Sequence, residues 1–485
     1  MLSAEKEVER LIQSVIHRVG GGFEGKVFSV GGFVRDEVLG VPCKDLDIVV
    51  EREGGAEMFT ALLRSVGGEQ VSQPHQLGAS YPIWHLRFKG DVSYGGDLFK
   101  TEGAEVDFAD TQVEMFPDTE SRQRVTKFGT IEEDIRRRDF TTGMLLRDLT
   151  TGELRDITGT SLKDIQEGVL RGHPEVSLDK IFSDDPLRML RLIRFHAKFG
   201  WRIPEDVFEC TKRCAPRIAI ISGERIRDEL VKIMEYGKLA QAVRLMDATG
   251  LLEHVLPEVA AMKGVEQDVY HHSEGDVYVH TLLLVEKARP TVIAQLSALL
   301  HDVGKPACKE VFPQDGAPPR IKFLKHEDVG AEMAEVILRR LKFELDVIFK
   351  IKKLIQFHLR AHFASEWSAK AVRKFVRDCG DELEDILHLT EIDGASSFGP
   401  GGVAKGGCIP ELRERIRTLT AIPVQKKTVL DGKEVMQLLG LMPGPAVGAA
   451  LTLLQEIEDE FAVEGQTLTR EQAASALKDR YVIAG

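Results

Sequence analysis

Residues 29–51 read SVGGFVRDEVLGVPCKDLDIVVE. An apolar stretch stops at two adjacent glycines, a helical run follows, and a second apolar stretch opens on two aspartates, Asp45 and Asp47. Aspartate is a poor strand former, so its double appearance at the head of DLDIVV costs something locally and suggests a job there. Side chains two apart on a strand face the same way, so Asp45 and Asp47 project together while Leu46 and Ile48 point to the core. Two carboxylates on one face at a sheet end are what paired magnesium ions need when they bridge transferring phosphates. Gly31 and Gly32 form a turn at a helix N-terminus and offer backbone N–H groups to a phosphate. Arg35 and Asp36 lie one turn inside that helix. A later strand, AEVDFAD, brings Asp107 as an extra carboxylate. A Gly-Gly or an Asp-x-Asp alone is common; the ordered set within about twenty residues points to phosphate chemistry.

The chain around this motif has 485 residues, too many for one ordinary core, and its length suggests about three domains. It is 43% hydrophobic, 29% charged and 7% aromatic, the composition of a folded globular protein. No apolar run approaches membrane-spanning length, so no membrane is expected as a partner. MLSAEKEVERLIQSVIHRV reads as an amphipathic helix, because charges interrupt it throughout, and not as a signal peptide. The six cysteines lack zinc-type pairing, and Cys210 and Cys214, four apart on a helix, read as buried small side chains. A reducing, cytoplasmic setting is expected. The net charge of −13 argues against a general nucleic-acid coat protein, and an RNA ligand would need basic residues gathered on one surface.

Up to about residue 150, KVFSV, DLDIVV, IWHLRF and AEVDFA are strand candidates. AEMFTALLRSVGG between them has helical spacing and a glycine stop. Past Asp156 almost every apolar pattern is helical. The fold class expected is α+β: a small mixed β-sheet head followed by an elongated all-α body. The stretch KGVEQDVYHHSEGDVYVH opens a histidine-rich helical block, and ASSFGPGGVAKGGCIPE reads as a linker after it. These boundaries give 1–150 as the head, 151–262 as a helical neck, 263–397 as the histidine-rich domain and 398–485 as a C-terminal helical segment.

GGFVRD followed by DLDIVV resembles the head of the class II tRNA nucleotidyltransferase and bacterial poly(A) polymerase family. The similarity continues in IEEDIRRRDFTTGML, ITGTSLKDIQEGVLR, DDPLRMLRLIRFHAKFGW and SGERIRDELVKIM, in the family's order over residues 29–234. The resemblance implies that Arg138 and Asp139, with Arg137 and Phe140 beside them, contact the nucleotide sugar and phosphates. Asp185 and Arg188 would then read the incoming base, with Arg191 on the same nucleotide-binding stretch. Chemistry supports that pair: Asp185 accepts from an exocyclic amine and Arg188 donates to ring acceptors. Such a protein-built template takes CTP and ATP and rejects UTP and GTP, and a spacing of three puts both side chains on one helical face. Two positions depart from the family pattern, Gly143 in place of an asparagine and Gln112 in place of an arginine. The loop between Glu114 and Ile131 is expected to set which nucleotides are added.

QLSALLHDVGKP places His301 and Asp302 side by side after an apolar helix, and His280, His326, His358 and Asp393 lie in the same block. Imidazoles and carboxylates are the usual ligands of divalent metals that activate water. The series resembles the HD phosphohydrolase superfamily. That resemblance implies a divalent metal of unknown identity and hydrolysis of phosphomonoesters or 2′,3′-cyclic phosphodiesters. His271, His272 and His362 read equally well as bystanders.

Arg188, Arg191, Arg194, Lys198 and Arg202, then Lys212, Arg213, Arg217, Arg225 and Arg227, supply the local positive surface that an acidic protein needs to hold RNA. Pro443-Gly444-Pro445 opens a helix near the end, in a segment resembling the family's C-terminal helices. The expected activity is template-independent addition of C and A residues to tRNA 3′ ends, with Asp45, Asp47 and Asp107 at magnesium and ATP, CTP and tRNA as partners. A-only or CC-only addition and poly(A) tailing are alternatives of the same class. A phosphohydrolase whose head merely binds RNA is the alternative from another class. Oligomeric state is not legible.

Overall fold

The computed structural model describes residues 2–484 except 21–22, 44, 78–80, 116–124, 269–271, 315–316, 399–407, 421–427, 464–465 and 467. The chain divides into two compact units, residues 1–236 with 241–255, and residues 237–240 with 256–485. Among the described residues no helix is long and apolar enough to cross a membrane.

The first unit begins with helix α1 (Ala4–Val19), capped by the Ser3 hydroxyl, which accepts from the Lys6 N–H. Strand β1 (Lys26–Val30), helix α2 (Gly32–Leu39), strand β2 (Leu46–Glu51) and helix α3 (Gly55–Gly67) follow. Then come β3 (His75–Leu77), β4 (Ile83–Arg87), the hairpin β5 (Val92–Tyr94) and β6 (Asp97–Phe99), and β7 (Glu105–Asp110). A second hairpin, β8 (Gln112–Met115) and β9 (Val125–Phe128), leads into α4 (Ile131–Arg136), β10 (Leu146–Asp148) and β11 (Leu154–Arg155). Seven strands form one sheet in the order β11-β10-β1-β2-β7-β4-β3, with β2 and β7 parallel and the other neighbours antiparallel. The mixed sheet expected from the sequence is present, and the four strands anticipated there all belong to it.

Alternation along β2 decides which side chains meet what. Leu46, Ile48 and Val50 join Val106 and Phe108 in a core with α1, α2 and α3. Val49 turns to the other face, where Phe28 and Val30 pack on Ile131 and Ile135 of α4. Asp47 shares the parity of Val49, so it emerges on the α4 side of the sheet. Helix α4 is fixed at its start by a capping box between Thr130 and Glu133, and the Glu51 carboxylate accepts from the Ile131 N–H at 2.8 Å.

The rest of the first unit is helical: α5 (Ser161–Glu167), α6 (Leu178–Asp184), α7 (Leu187–Phe199), α8 (Glu205–Cys214) and α9 (Gly223–Glu235). Cys210 and Cys214 are buried in α8, as expected of small core side chains. Burial pushes the Cys210 thiol up to about 12, so it stays protonated.

The second unit is also mainly helical, with one exception to the all-α body expected from the sequence. Lys309–Gln314 and Ala317–Phe323 pair as an antiparallel hairpin. Its strands carry Pro313, Pro318 and Pro319, which obscured a strand pattern that only two paired edges need satisfy. Between Leu430 and Leu477 the chain holds a small separate core built on Val435, Leu454, Ile457 and Leu477, and a helix starts at Pro445 as expected. The glycine-rich stretch anticipated as a linker falls mostly on residues 399–407, outside the described residues.

Candidate functional site

Two groups of titratable side chains stand out, one in each unit. In the first, the parallel register of β2 and β7 pairs Asp47 with Asp107 as direct neighbours. The chain leaves β1 through Gly31, whose φ of 71° is one that glycine adopts without a Cβ penalty. A Cβ there would lie 3.4 Å from Arg138 Nη1 and 3.8 Å from Asp47 Oδ2, so glycine turn, carboxylate and guanidinium converge on one spot. Asp45, expected on the strand beside Asp47, instead sits one residue before β2 and is exposed. Among the described residues, Asp45, Asp47 and Asp107 do not gather within 4.8 Å as a three-ligand group.

Asp47 is open to solvent on one side, yet the protein crowds it. Burial, opposed by Arg138 and reinforced by the like charges of Asp107 and Asp45, pushes its carboxyl up to about 6. The open side limits what burial alone does; the neighbouring carboxylates are the part that register explains. Asp107 has a partner the sequence did not suggest: His85, its cross-strand neighbour on β4, places Nδ1 2.8 Å from Asp107 Oδ1.

The arginines of the RRDF stretch follow directly on α4, with Arg137 as its C-cap. Asp134 is fully buried and accepts from Arg137 Nη2 at 2.7 Å and from Arg138 Nη2 at 2.9 Å. Burial would raise this carboxyl, but Arg138 and Arg137 outweigh it and hold it below its usual value. Arg138 also donates from Nη1 to the carbonyl of Gly143 at 3.4 Å. A side chain at Gly143 would face Asp139, whose Oδ1 lies 3.8 Å from the Cβ position, so glycine leaves that side of Asp139 open. Gln112, with its amide turned so that oxygen faces the guanidinium, accepts from Arg137 Nη1 at 3.2 Å. A cation at position 112 would be repelled by Arg137, which accounts physically for the neutral residue there.

Asp139 is buried and pairs with Arg191 at 2.7 Å. Burial would raise its carboxyl, and Arg191 with Arg188 holds it lower. Asp185 and Arg188, expected on one helical face, are arranged differently. Asp185 is extended (φ −144°, ψ 97°) between α6 and α7, and its Oδ1 accepts from the Leu187 N–H at 3.2 Å. Arg188 lies in the first turn of α7 and donates to the carbonyls of Ile181 and Arg137. Arg35 and Asp36 are buried and pair with each other at 2.6 Å, while Arg35 lies over the Phe199 ring at 4.8 Å and ties α2 to α7. Of the arginines expected to meet RNA, Arg194 is largely buried against Glu229 at 2.5 Å, Arg225 pairs with Asp185 at 2.8 Å, and Arg227 bonds Asp228 at 2.8 Å.

The second group lies in a cavity of about 860 Å³ within the second unit. His280, His301, Asp302, His326, His358 and Asp393, nominated from five separate stretches, are all buried, and Asp302, His326, His358 and Asp393 line the cavity. The Nδ1 atoms of His301, His326 and His358 face the carbonyls of Ala298, Phe323 and Ile355 at 2.9, 2.7 and 2.6 Å. A carbonyl accepts only, so each Nδ1 carries a proton, and Nε2 is the nitrogen left to meet a carboxylate or a metal. His326 Nε2 is 3.2 Å from Asp302 Oδ1, His301 Nε2 is 3.1 Å from Asp302 Oδ2, and His280 Nε2 is 3.1 Å from Asp393 Oδ1. None of these three Nε2 atoms has an aligned hydrogen bond. His280 with His301 and Asp393, and Asp302 with His326 and His358, form two groups whose ligand atoms lie within 4.8 Å of one another. Burial and the charge of His301 push His358 down to about 3, leaving it neutral, the form that ligates.

Comparison with known proteins bears on both groups. Residues 27–171 match the family described as Poly A polymerase head domain, 200–263 the one described as Probable RNA and SrmB-binding site of polymerase A, and 269–393 the HD domain. The CC-adding tRNA nucleotidyltransferase of Thermus thermophilus is 30% identical, over 93% of this chain and 92% of its own. The A-adding tRNA nucleotidyltransferase of Deinococcus radiodurans is 33% identical, over 88% and 90%. The chain belongs to the tRNA nucleotidyltransferase family. It is a nucleotidyltransferase carrying an HD domain. Solved structures share the fold: the Bacillus stearothermophilus CCA-adding enzyme in complex with CTP matches at a TM-score of 0.64 and 21% identity, over 100% of this chain and 99% of that one. The Thermotoga maritima CCA-adding enzyme complexed with tRNA matches at 0.56 and 19%, over 98% and 94%.

Sequence reasoning about this nucleotidyltransferase missed three side chains at its two sites and misread two more. His85 and Asp134 act across the sheet or along a helix, although the spacing of Asp134 three and four before Arg137 and Arg138 was a usable signal. Glu274 accepts from both His272 and His280, at 2.7 and 2.9 Å. His272 and His362, read as possible bystanders, both line the HD cavity, and His362 reaches Asp393 Oδ2 at 2.9 Å. His271 lies outside the described residues.

Proposed function

We propose that this chain adds C and/or A to the 3′ end of tRNA, taking CTP and ATP, with magnesium as the ion of the head. The observation that carries the reading is the register of Asp47 with Asp107 at a glycine turn that Arg138 also faces. The donor set fits a hard divalent cation, because Asp47 and its register neighbour Asp107, with Asp45 at the strand's start, offer carboxylate oxygens. Asp45, Asp47 and Asp107 would hold such ions, which when bound neutralise the triphosphate and activate the RNA 3′-hydroxyl. Gly31 and Gly32 let the backbone approach the phosphates. Arg138, oriented by Asp134, meets their charge, and Asp139 aims Arg191 beside them. Asp185 and Arg188 read the base edge: the carboxylate accepts the amine of cytosine or adenine, and the guanidinium donates to the adjacent ring acceptor.

The division into head, neck, HD domain and C-terminal segment at residues 150, 262 and 397 belongs to the same reading. The test is incorporation of labelled CTP and ATP, separately and together, into tRNA ending before CCA and tRNA ending after CC. Addition to either substrate is expected, and the pattern separates full CCA, CC-only, A-only and tailing activities. No incorporation under any of these conditions would overturn the reading.

A second activity is favoured by the HD cluster. The Nε2 atoms of His280, His301 and His326, each beside a carboxylate of Asp302 or Asp393 and without an aligned hydrogen bond, fit a divalent metal held with those aspartates. We infer hydrolysis of phosphomonoesters or 2′,3′-cyclic phosphodiesters there, tested by phosphate release from RNA ends in wild type and Asp302→Asn.

A further inference from the structure

Asp185 has one donor from the protein on each oxygen. Oδ1 accepts from the Leu187 N–H at 3.2 Å, and Oδ2 accepts from Arg225 Nη2 at 2.8 Å. Arg225 comes from α9, whereas Asp185 sits between α6 and α7, so the pair joins elements forty residues apart in sequence. Its neighbour Arg188 is likewise held, by the carbonyls of Ile181 and Arg137. We infer that Arg225 is a specificity-determining positioning residue for the incoming nucleotide: it fixes the plane of the Asp185 carboxylate so that its free lone pairs face an amine of the base.

A carboxylate has about four lone-pair sites and no donor, so two protein donors leave room for one or two more contacts in a set direction. With its plane fixed, Asp185 rewards the exocyclic amine of cytosine or adenine and repels the carbonyl oxygen that uracil or guanine presents there. Without Arg225, the Leu187 N–H alone restrains the group, and rotation about the side chain loosens that discrimination. The charge of Asp185 is also felt by Arg191, which pairs with Asp139, so the Asp185–Arg225 pair stands beside a second aspartate–arginine pair. The same reasoning removes Arg225 from the group of residues that meet the RNA backbone.

The inference rests on the base-reading role proposed above for Asp185, and the experiment separates the two. The full chain is compared with Arg225→Ala, Arg225→Lys and Asp185→Asn. The readouts are KM for CTP, ATP and tRNA, the ratio of UTP to CTP incorporation, and direct CTP binding without tRNA. Arg225→Ala is expected to weaken CTP binding and raise nucleotide KM about tenfold, the size of one charge-assisted hydrogen bond, and to raise the UTP to CTP ratio. Its tRNA KM stays within about twofold, because no phosphate contact is removed. Arg225→Lys, which keeps a donor and the charge, recovers part of the nucleotide affinity. A tRNA KM that rises with unchanged CTP binding, and a salt dependence reduced by about one phosphate contact, would make Arg225 an RNA ligand and overturn the inference. Altered selection in Asp185→Asn with none in Arg225→Ala would overturn it alone. Unchanged selection in Asp185→Asn would instead break the base-reading assignment beneath it.

Discussion

The two acidic centres of this chain differ in how completely the protein alone builds them. In the HD cluster every nominated ligand is buried, and three imidazoles have their tautomer set by a backbone carbonyl. In the head, Asp47 and Asp107 meet through strand register, but Asp45 lies outside the strand, both Asp45 and Asp47 are exposed, and the three do not gather within 4.8 Å. A centre that keeps a resident ion gains from being closed and preorganised. One that must admit a triphosphate with its ions at every turnover gains from staying open, with the incoming phosphates completing the coordination. On the proposed function, preorganisation would follow the exchange each site requires.

The sharpest way to break this comparison is to exchange the losses. Asp47→Asn should lower nucleotide addition at least about a thousandfold and leave phosphate release from RNA ends intact, whereas Asp302→Asn should do the reverse. Parallel incorporation and phosphate-release assays check it. Loss of both activities in either variant would mean the centres are not independent.

Asp134 is next. It is buried and serves two arginines of the head, and removing its charge takes from Arg138 its carboxylate partner and leaves Arg137 paired with Glu114 alone. Breaking a buried pair of this kind costs about 3–5 kcal/mol, and Asp134→Asn should show a loss of that order in chemical unfolding of the first unit. Its carboxyl is held below the usual value, so the stabilisation is present above the ordinary aspartate pKa of about 3.9 and is lost as pH falls through the lower folded value. A variant as stable as wild type at pH 7 would contradict it.

These residues also show where sequence reading reached and where it stopped. The mixed sheet, Asp47 and Asp107 as carboxylates of one site, and the six clustered residues of the HD domain were legible, because strand parity, Gly-Gly followed by Asp-x-Asp, and histidines at helix ends are local patterns. Asp45 was placed one step too far into the strand, a boundary that periodicity alone does not set. His85 was invisible because it reaches Asp107 only through the β4–β7 register. Arg194 and Arg225 read as RNA contacts by charge, and their partners Glu229 and Asp185 lie 35 and 40 residues away. The proline-bearing hairpin at Lys309–Phe323 was missed for the reason that makes proline a poor strand marker.

On the proposed function a proton and a cation would compete for Asp47, which sharpens the contrast with the closed HD centre. With its carboxyl at about 6, the apparent affinity of the head for a divalent ion should fall about tenfold per pH unit below that value. The raised pKa means that the fold gains from this group at low pH and loses that gain as pH rises through about 6. Titration calorimetry with magnesium between pH 5 and 7 checks the slope, and an affinity flat across that range would remove Asp47 from the ion. The smallest expected effect is at His85. His85→Ala should reduce addition about tenfold by releasing Asp107, and His85→Asn, whose amide N–H replaces Nδ1–H, should restore much of it. An Asn variant no better than Ala would make the contact incidental.

The central claim is that register alone makes Asp47 and Asp107 a shared seat for the cation that accompanies the nucleotide. Anomalous diffraction from manganese, in crystals of the full chain grown with a non-hydrolysable CTP analogue, tests it most directly. The account predicts a manganese peak bonded to an oxygen of each aspartate and to the triphosphate. Manganese in the HD cavity alone, with the analogue bound in the head and both aspartates away from any ion, would contradict it.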